Sequence, residues 1–182
     1  MPSLPAGSPI PGAVIVMGVS GCGKSTLGAL LAEALGCPFL EGDSFHAPEA
    51  VAKMRDGVPL TDADRWPWLD RLAAAVAESM AQHGRAVAAC SALRRVYRDR
   101  LRERIGRPVQ FVLLDADRAQ LIARMTSRPG HFMPASLLDS QLATLERPSP
   151  AESALVLPAA LPAAELRDRV LAHLGEVRAL RA

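Results

Sequence analysis

The chain has 182 residues, of which 49% are hydrophobic, and a formal net charge of +2. That length suits one domain with a sizeable core, no apolar run approaches the roughly 20 residues of a membrane span, and the near-balanced charge offers no field for nucleic acid or an anionic membrane. Positive charge is nearly all arginine, Lys24 and Lys53 being the only lysines, so a lysine inside a motif stands out.

Residues 1–12 are rich in Pro, Gly and Ser and lack the basic start and apolar stretch of an export signal. They read as a disordered leader ahead of a single domain over 13–182. Ala13 to Met17 is an apolar, β-branched run expected to form a buried parallel strand. The stretch Gly18-Val19-Ser20-Gly21-Cys22-Gly23-Lys24-Ser25 follows and fits G-x-x-x-x-G-K-[ST]. Thr26 to Leu35 then has helical spacing and ends at Gly36. Strand, glycine-rich turn and helix make a phosphate cradle. The glycines let main-chain N–H groups curl around an anion, and the helix directs its positive end at it. Lys24 is expected to reach the β- and γ-phosphates of a nucleotide and Ser25 to hold Mg²⁺. Gly18, Ser20, Gly21, Cys22, Gly23 and Thr26 complete the expected nucleotide contacts. Cys22, Cys37 and Cys90 have no metal-like spacing, and their odd number points to a reducing cytoplasm.

Pro38 to Glu41 reads as a second strand running into Gly42-Asp43. Glu41 and Asp43 share a side by period two. Asp43 is placed to orient a substrate hydroxyl and accept its proton, with His46 as a substrate contact. A short helix is expected from Pro48 to Met54. Thr61 to Asp64 is expected to be a capping turn before a long helix from about Trp66 to Gln82. Arg65 is a candidate for an anionic substrate, whereas Asp62 and Trp68 read as capping and packing residues. Ala86 to Cys90 is the third strand. It leads to an arginine-rich helix over about Arg94 to Arg104, in which Arg94, Arg98 and Arg102 form one stripe, and Arg94 and Arg98 could clamp a carboxylate. Val109 to Leu114 is the fourth strand, Asp117 caps a helix to about Met125, and another helix covers about Ala135 to Leu145. Between them a Pro/Gly-punctuated segment, about 125–135, reads as a lid. Arg124 and Arg128 on its approach suit charge stabilisation during phosphoryl transfer. Ala154 to Leu157 is the last strand, and a helix from about Ala163 to Leu180 ends the chain. Strands alternating with helices imply a parallel α/β sheet covered on both faces, with the ligand site beyond the carboxyl ends of the strands.

The combination of Met17 to Ser25, Glu41-Gly42-Asp43 with His46, Lys53-Met54, Pro59 to Asp62, Asp64-Arg65, Trp68-Leu69, Cys90 to Leu93, Tyr97 to Asp99, Gly130-His131-Phe132, Ser140 to Leu142 and Leu145-Glu146 resembles the gluconokinase family over nearly the whole chain. One departure is Glu41, where the family more often has Asp. The resemblance implies a three-layer P-loop kinase fold with a five-stranded parallel sheet of order 2-3-1-4-5 and a lid. It implies ATP and Mg²⁺ as cofactors and D-gluconate as substrate, phosphorylated at the 6-hydroxyl, by a cytoplasmic homodimer. Under it, Arg65, Arg94, Arg98, His131 and Gln141 join Asp43 and His46 as substrate candidates, and Arg124 and Arg128 close on the phosphates. The runner-up readings are a kinase of another hydroxy acid such as shikimate, and a nucleotide-dependent regulator that transfers no phosphate.

Overall fold

The computed structural model describes residues 11–126 and 135–179. Most of the expected leader and lid, including Arg128 and His131, lie outside the described residues. Five strands, β1 (Ala13–Met17), β2 (Phe39–Glu41), β3 (Ala86–Ala89), β4 (Val109–Asp115) and β5 (Leu155–Pro158), pair in parallel in the order β2-β3-β1-β4-β5. This is the expected order. Seven helices connect them among the described residues: α1 (Lys24–Leu35), α2 (Pro48–Arg55), α3 (Asp62–His83), α4 (Arg95–Ile105), α5 (Arg118–Thr126), α6 (Ala135–Thr144) and α7 (Ala163–Ala179). Short 3-10 turns occupy Gly42–Phe45 and Pro150–Glu152.

The strands are apolar throughout because both faces are covered, and their period-two alternation sorts residues into two cores. Ala13, Ile15 and Met17 of β1 and Phe111 and Leu113 of β4 pack with Trp68, Leu72 and Val76 of α3 and Leu101 of α4. Val14 and Val16 of β1 and Val112 and Leu114 of β4 face the other way, onto Leu27 and Leu31 of α1 and Leu166 and Val170 of α7. The sheet is thus the middle of three layers. With every strand parallel, the turns after β1, β2 and β3 leave from one edge.

The structure corrects the start of α3. Thr61 is its N-cap, and the helix begins at Asp62. A capping box explains this: Asp64 N–H donates to Thr61 Oγ1 at 3.3 Å, while Asp64 Oδ2 accepts from Thr61 N–H at 2.8 Å. Pro67 lies inside the helix, where it costs the hydrogen bond to the carbonyl of Ala63. The two reciprocal capping bonds outweigh that single loss, so the helix reaches back past the proline instead of starting at Trp66. No helix among the described residues is long and apolar enough to cross a membrane.

Candidate active site

The glycine-rich loop leaves β1 with Gly18 at φ 140°, and a Cβ there would sit 2.9 Å from the carbonyl oxygen of Leu114. Only glycine combines that dihedral with so close a neighbouring strand. Gly18 N–H donates to Ser91 O at 3.2 Å, which ties the loop to the end of β3. Gly23 is the N-cap of α1 at φ 104°, so Lys24 opens the helix. Lys24 Nζ donates to Val19 O at 3.0 Å, its ammonium folded back over the loop. Ser25 and Thr26 are exposed in the first helical turn. Cys22 is buried, a small filler behind the loop.

Two side chains from distant helices grip this loop. Ser20 N–H donates to Gln141 Oε1 of α6 at 2.7 Å. Arg124 of α5 donates through Nη1 to Cys22 O at 2.9 Å and through Nη2 to Ala159 O, bridging the loop to the turn after β5. Arg124 therefore sits beside the loop as expected. Gln141 contacts the loop with its oxygen, which fixes the orientation of its amide.

Asp43 lies on the 3-10 turn after β2, with its side chain 77% exposed. The turn is anchored from α3: Trp68 Nε1–H donates to Gly42 O at 2.7 Å, and the indole stacks on the His46 ring at 4.1 Å between centroids and 16° between planes. Gly42 permits this arrangement because a Cβ there would lie 2.1 Å from Ala89 O. The His46 side chain is only 4% exposed, and its Nε2 is 3.9 Å from Asp43 Oδ1. Burial pushes the imidazole below its ordinary pKa, partly opposed by the Asp43 charge, so the ring is held neutral at physiological pH. Its buried Nδ1 has no partner among the described residues.

Ser20, Lys24, Asp43, His46, Arg65 and Gln141 line one cleft of about 670 Å³, counting its open mouth. Met54, Leu60, Leu93 and Leu137 supply its apolar walls. The structure thus converges residues from four expected elements on one edge of the sheet. Glu41 ends β2 and does not line the cleft.

One expectation is corrected. Arg98 is completely buried and forks onto Glu152, with Nε to Oε2 at 2.6 Å and Nη2 to Oε1 at 3.0 Å, while Nη1 donates to the carbonyls of Ala92 and Leu93. It braces the segment after β3 from behind and is not presented to a ligand. The helix turns this position inward, and a buried guanidinium has to be neutralised inside the protein. Arg94 spends its charge on Asp62 Oδ2 at 2.8 Å and Glu146 Oε1 at 3.2 Å. Sequence reasoning also gave too little to Trp68, Asp62 and Tyr97, since their partners are tens of residues away. Tyr97 O–H donates to Asp62 Oδ1, and Arg65 Nη1 donates to Tyr97 Oη at 3.1 Å.

Comparison with known proteins was decisive. A family profile described as "AAA domain" matches residues 14–148. The gluconokinase of Gluconobacter oxydans (strain 621H) is 53% identical over 136 residues, covering 74% of this chain and 75% of that protein. The thermosensitive gluconokinase of Escherichia coli (strain K12) is 44% identical over 143 residues, covering 78% and 75%. The chain belongs to the gluconokinase family. The crystal structure of a gluconokinase from Sinorhizobium meliloti 1021 superimposes with a TM-score of 0.81 at 48% identity, over 92% of this chain and 94% of that one. Outside the family, the shikimate kinase of Aquifex aeolicus vf5, at 15% identity and a TM-score of 0.58, shares the fold alone. In this gluconokinase-family chain the loop and Lys24 meet at the N-terminus of α1.

Proposed function

We propose that the cleft binds D-gluconate with its 6-hydroxyl between Asp43 and the γ-phosphate of ATP held on the glycine-rich loop. By its kinship the chain is an ATP-dependent gluconate kinase. The residue roles rest on one observation: Lys24, Asp43 and Arg65 line a single cleft, so a phosphate binder, a base and a carboxylate binder meet there. Lys24 and the loop amides hold the β- and γ-phosphates. Asp43 orients the 6-hydroxyl and accepts its proton as that oxygen bonds to the γ-phosphorus. The bond from phosphorus to the β–γ bridging oxygen breaks, giving 6-phospho-D-gluconate and ADP. Asp43 is exposed, its carboxylate open to the substrate side. Neutral His46 beside it contacts the polyol without competing for that proton.

Arg65 is the cation for the gluconate carboxylate. Gln141 holds Ser20 with its oxygen and offers its amide N–H groups to substrate or phosphoryl oxygens. Arg124, already docked on Cys22 O and Ala159 O, supports the phosphates together with Arg128, and His131 is a contact for gluconate. Mg²⁺ fits this donor set. Among the described residues no group of three His, Cys, Asp or Glu could hold a metal. The ion would therefore rest on the exposed Ser25 hydroxyl, phosphate oxygens and water, a pattern this cation favours. When bound it would offset phosphate charge. We further infer a homodimer working in a reducing cytoplasm, where Cys22, Cys37 and Cys90 stay unpaired.

The deciding experiment is mass detection of the product after incubation with MgATP and gluconate. Phosphogluconate is expected, with none of the corresponding product from shikimate. Conversion of shikimate alone would defeat the substrate assignment. Sedimentation at micromolar concentration checks the dimer.

A further inference from the structure

We propose that Tyr97 is a positioning residue whose hydroxyl holds Arg65 toward the cleft while leaving its charge available to the substrate carboxylate. The inference rests on the assignment of Arg65 above. Pairing with a carboxylate within hydrogen-bonding distance is the habit of arginines in this chain: Arg94, Arg98, Arg100, Arg118 and Arg147 all do so at 2.6–2.8 Å. Arg65 does not, although Asp62 lies one turn away on the same helix. Both oxygens of Asp62 are taken, Oδ1 by the Tyr97 hydroxyl and Oδ2 by Arg94. Arg65 Nη1 is left 3.9 Å from Oδ1 and donates instead to the phenol oxygen, with the guanidinium 5.4 Å from the centre of the Tyr97 ring.

The phenol is inserted between an acid and a base that would otherwise close on each other. It gives its one proton to Asp62 and presents its lone pairs to Arg65. A neutral acceptor fixes the guanidinium without cancelling its charge, as a carboxylate would. Tyr97 is itself 2% exposed, packed against the edge of Trp66 at 5.5 Å between centroids, and so is a rigid support. Burial, with the bond to Asp62, raises its pKa and keeps the proton in place. The other N–H groups of Arg65 have no partner among the described residues, and the side chain lines the cleft. With Asp62 held at 3.9 Å instead of in contact, the remaining guanidinium donors are left for an anionic substrate.

Tyr97→Phe removes one oxygen and lets Arg65 close on Asp62. The expected result is a KM for gluconate raised about five- to tenfold, with kcat and the KM for MgATP within about twofold of the parent. In an Arg65→Ala background the same change should add less than about a further twofold, because the two residues act as one unit. If Arg65→Ala raises the KM but Tyr97→Phe does not, the positioning role falls and the carboxylate assignment stands. If Arg65→Ala leaves the KM unchanged, both fall. Parallel losses of kcat, nucleotide KM and melting temperature in Tyr97→Phe would mark a merely structural residue and overturn the proposal.

A second measurement needs no substitution. Tyr97 is the only tyrosine in the chain, so 3-fluorotyrosine supplied during growth labels this position alone. Its fluorine resonance should shift on saturation with gluconate but not with D-glucitol, which lacks the carboxylate. A resonance indifferent to gluconate would refute the role.

Discussion

Tyr97 and Arg98 are consecutive residues of α4, and the two sides of that helix teach different lessons about charge. On the Arg98 side everything is closed. The guanidinium and the Glu152 carboxylate are 0% and 4% exposed, and each is paired inside the protein. Burial alone would raise the Glu152 carboxyl, yet the Arg98 hydrogen bond, the Ser149 N–H and the nearby arginine charges hold it below its ordinary value. On the Tyr97 side charge is left open: Asp43 is exposed, Lys24 has only a main-chain carbonyl among the described residues, and Arg65 rests on a phenol. Arginine forked onto a carboxylate braces the structure behind the cleft, and arginine held 3.9 Å from its acid lines it.

The comparison can be broken from either side. The largest effect is expected in the open region. Asp43→Asn should lower kcat by about 10²–10⁴ with MgATP binding retained, measured by a coupled ADP assay and by calorimetry. Near-normal turnover would remove Asp43 from the base role. In the closed region the expected damage is to stability. Arg98→Met strips the buried Glu152 of its bidentate partner, leaving only Arg102 at 3.8 Å and the Ser149 N–H, and should cost about 3 kcal/mol in urea unfolding. The double replacement Arg98→Met with Glu152→Met should recover much of that loss. If instead Arg98→Met raised only the KM for gluconate, the division drawn here would fail.

Arg65→Ala sharpens the contrast, with an expected rise of about ten- to a hundredfold in gluconate KM and little change in melting temperature. Trp68→Phe keeps the ring but drops the N–H that holds Gly42 O. It should cost about 1 kcal/mol of stability and lower kcat several-fold by loosening the turn that carries Asp43. The smallest effect is a pH dependence. Lys53 and the Thr61 cap hold the Asp64 carboxyl at about 2, below the ordinary aspartate value of 3.8. A depressed carboxyl pKa stabilises the fold above the unfolded value and loses that contribution as pH falls. Unfolding profiles between about pH 4 and pH 2 should therefore be flatter for Asp64→Asn than for the parent, and identical profiles would deny the cap any electrostatic share.

Much of the fold was legible in the chain itself. The strands announce themselves as short apolar runs, and β1, the loop and α1 follow from glycine spacing and Lys24. The start of α3 was misread because Pro67 is a strong local signal against a helix, while the Thr61–Asp64 box acts through two reciprocal bonds that local propensity does not weigh. The site was legible where a residue acts through the main chain next to it, as with Lys24. It was not legible on α4: a helical stripe of Arg94, Arg98 and Arg102 looks the same whether it faces substrate or core.

By itself the sequence determined the glycine-rich loop with its lysine, the alternation of strand and helix, and the acid after β2, because each depends on spacing over a few residues. Only the tertiary structure decided which arginines are consumed and which is spared. That choice depends on carboxylates 32 to 54 positions away, Asp62, Glu146 and Glu152, and a charge is quenched by the group that arrives beside it in space.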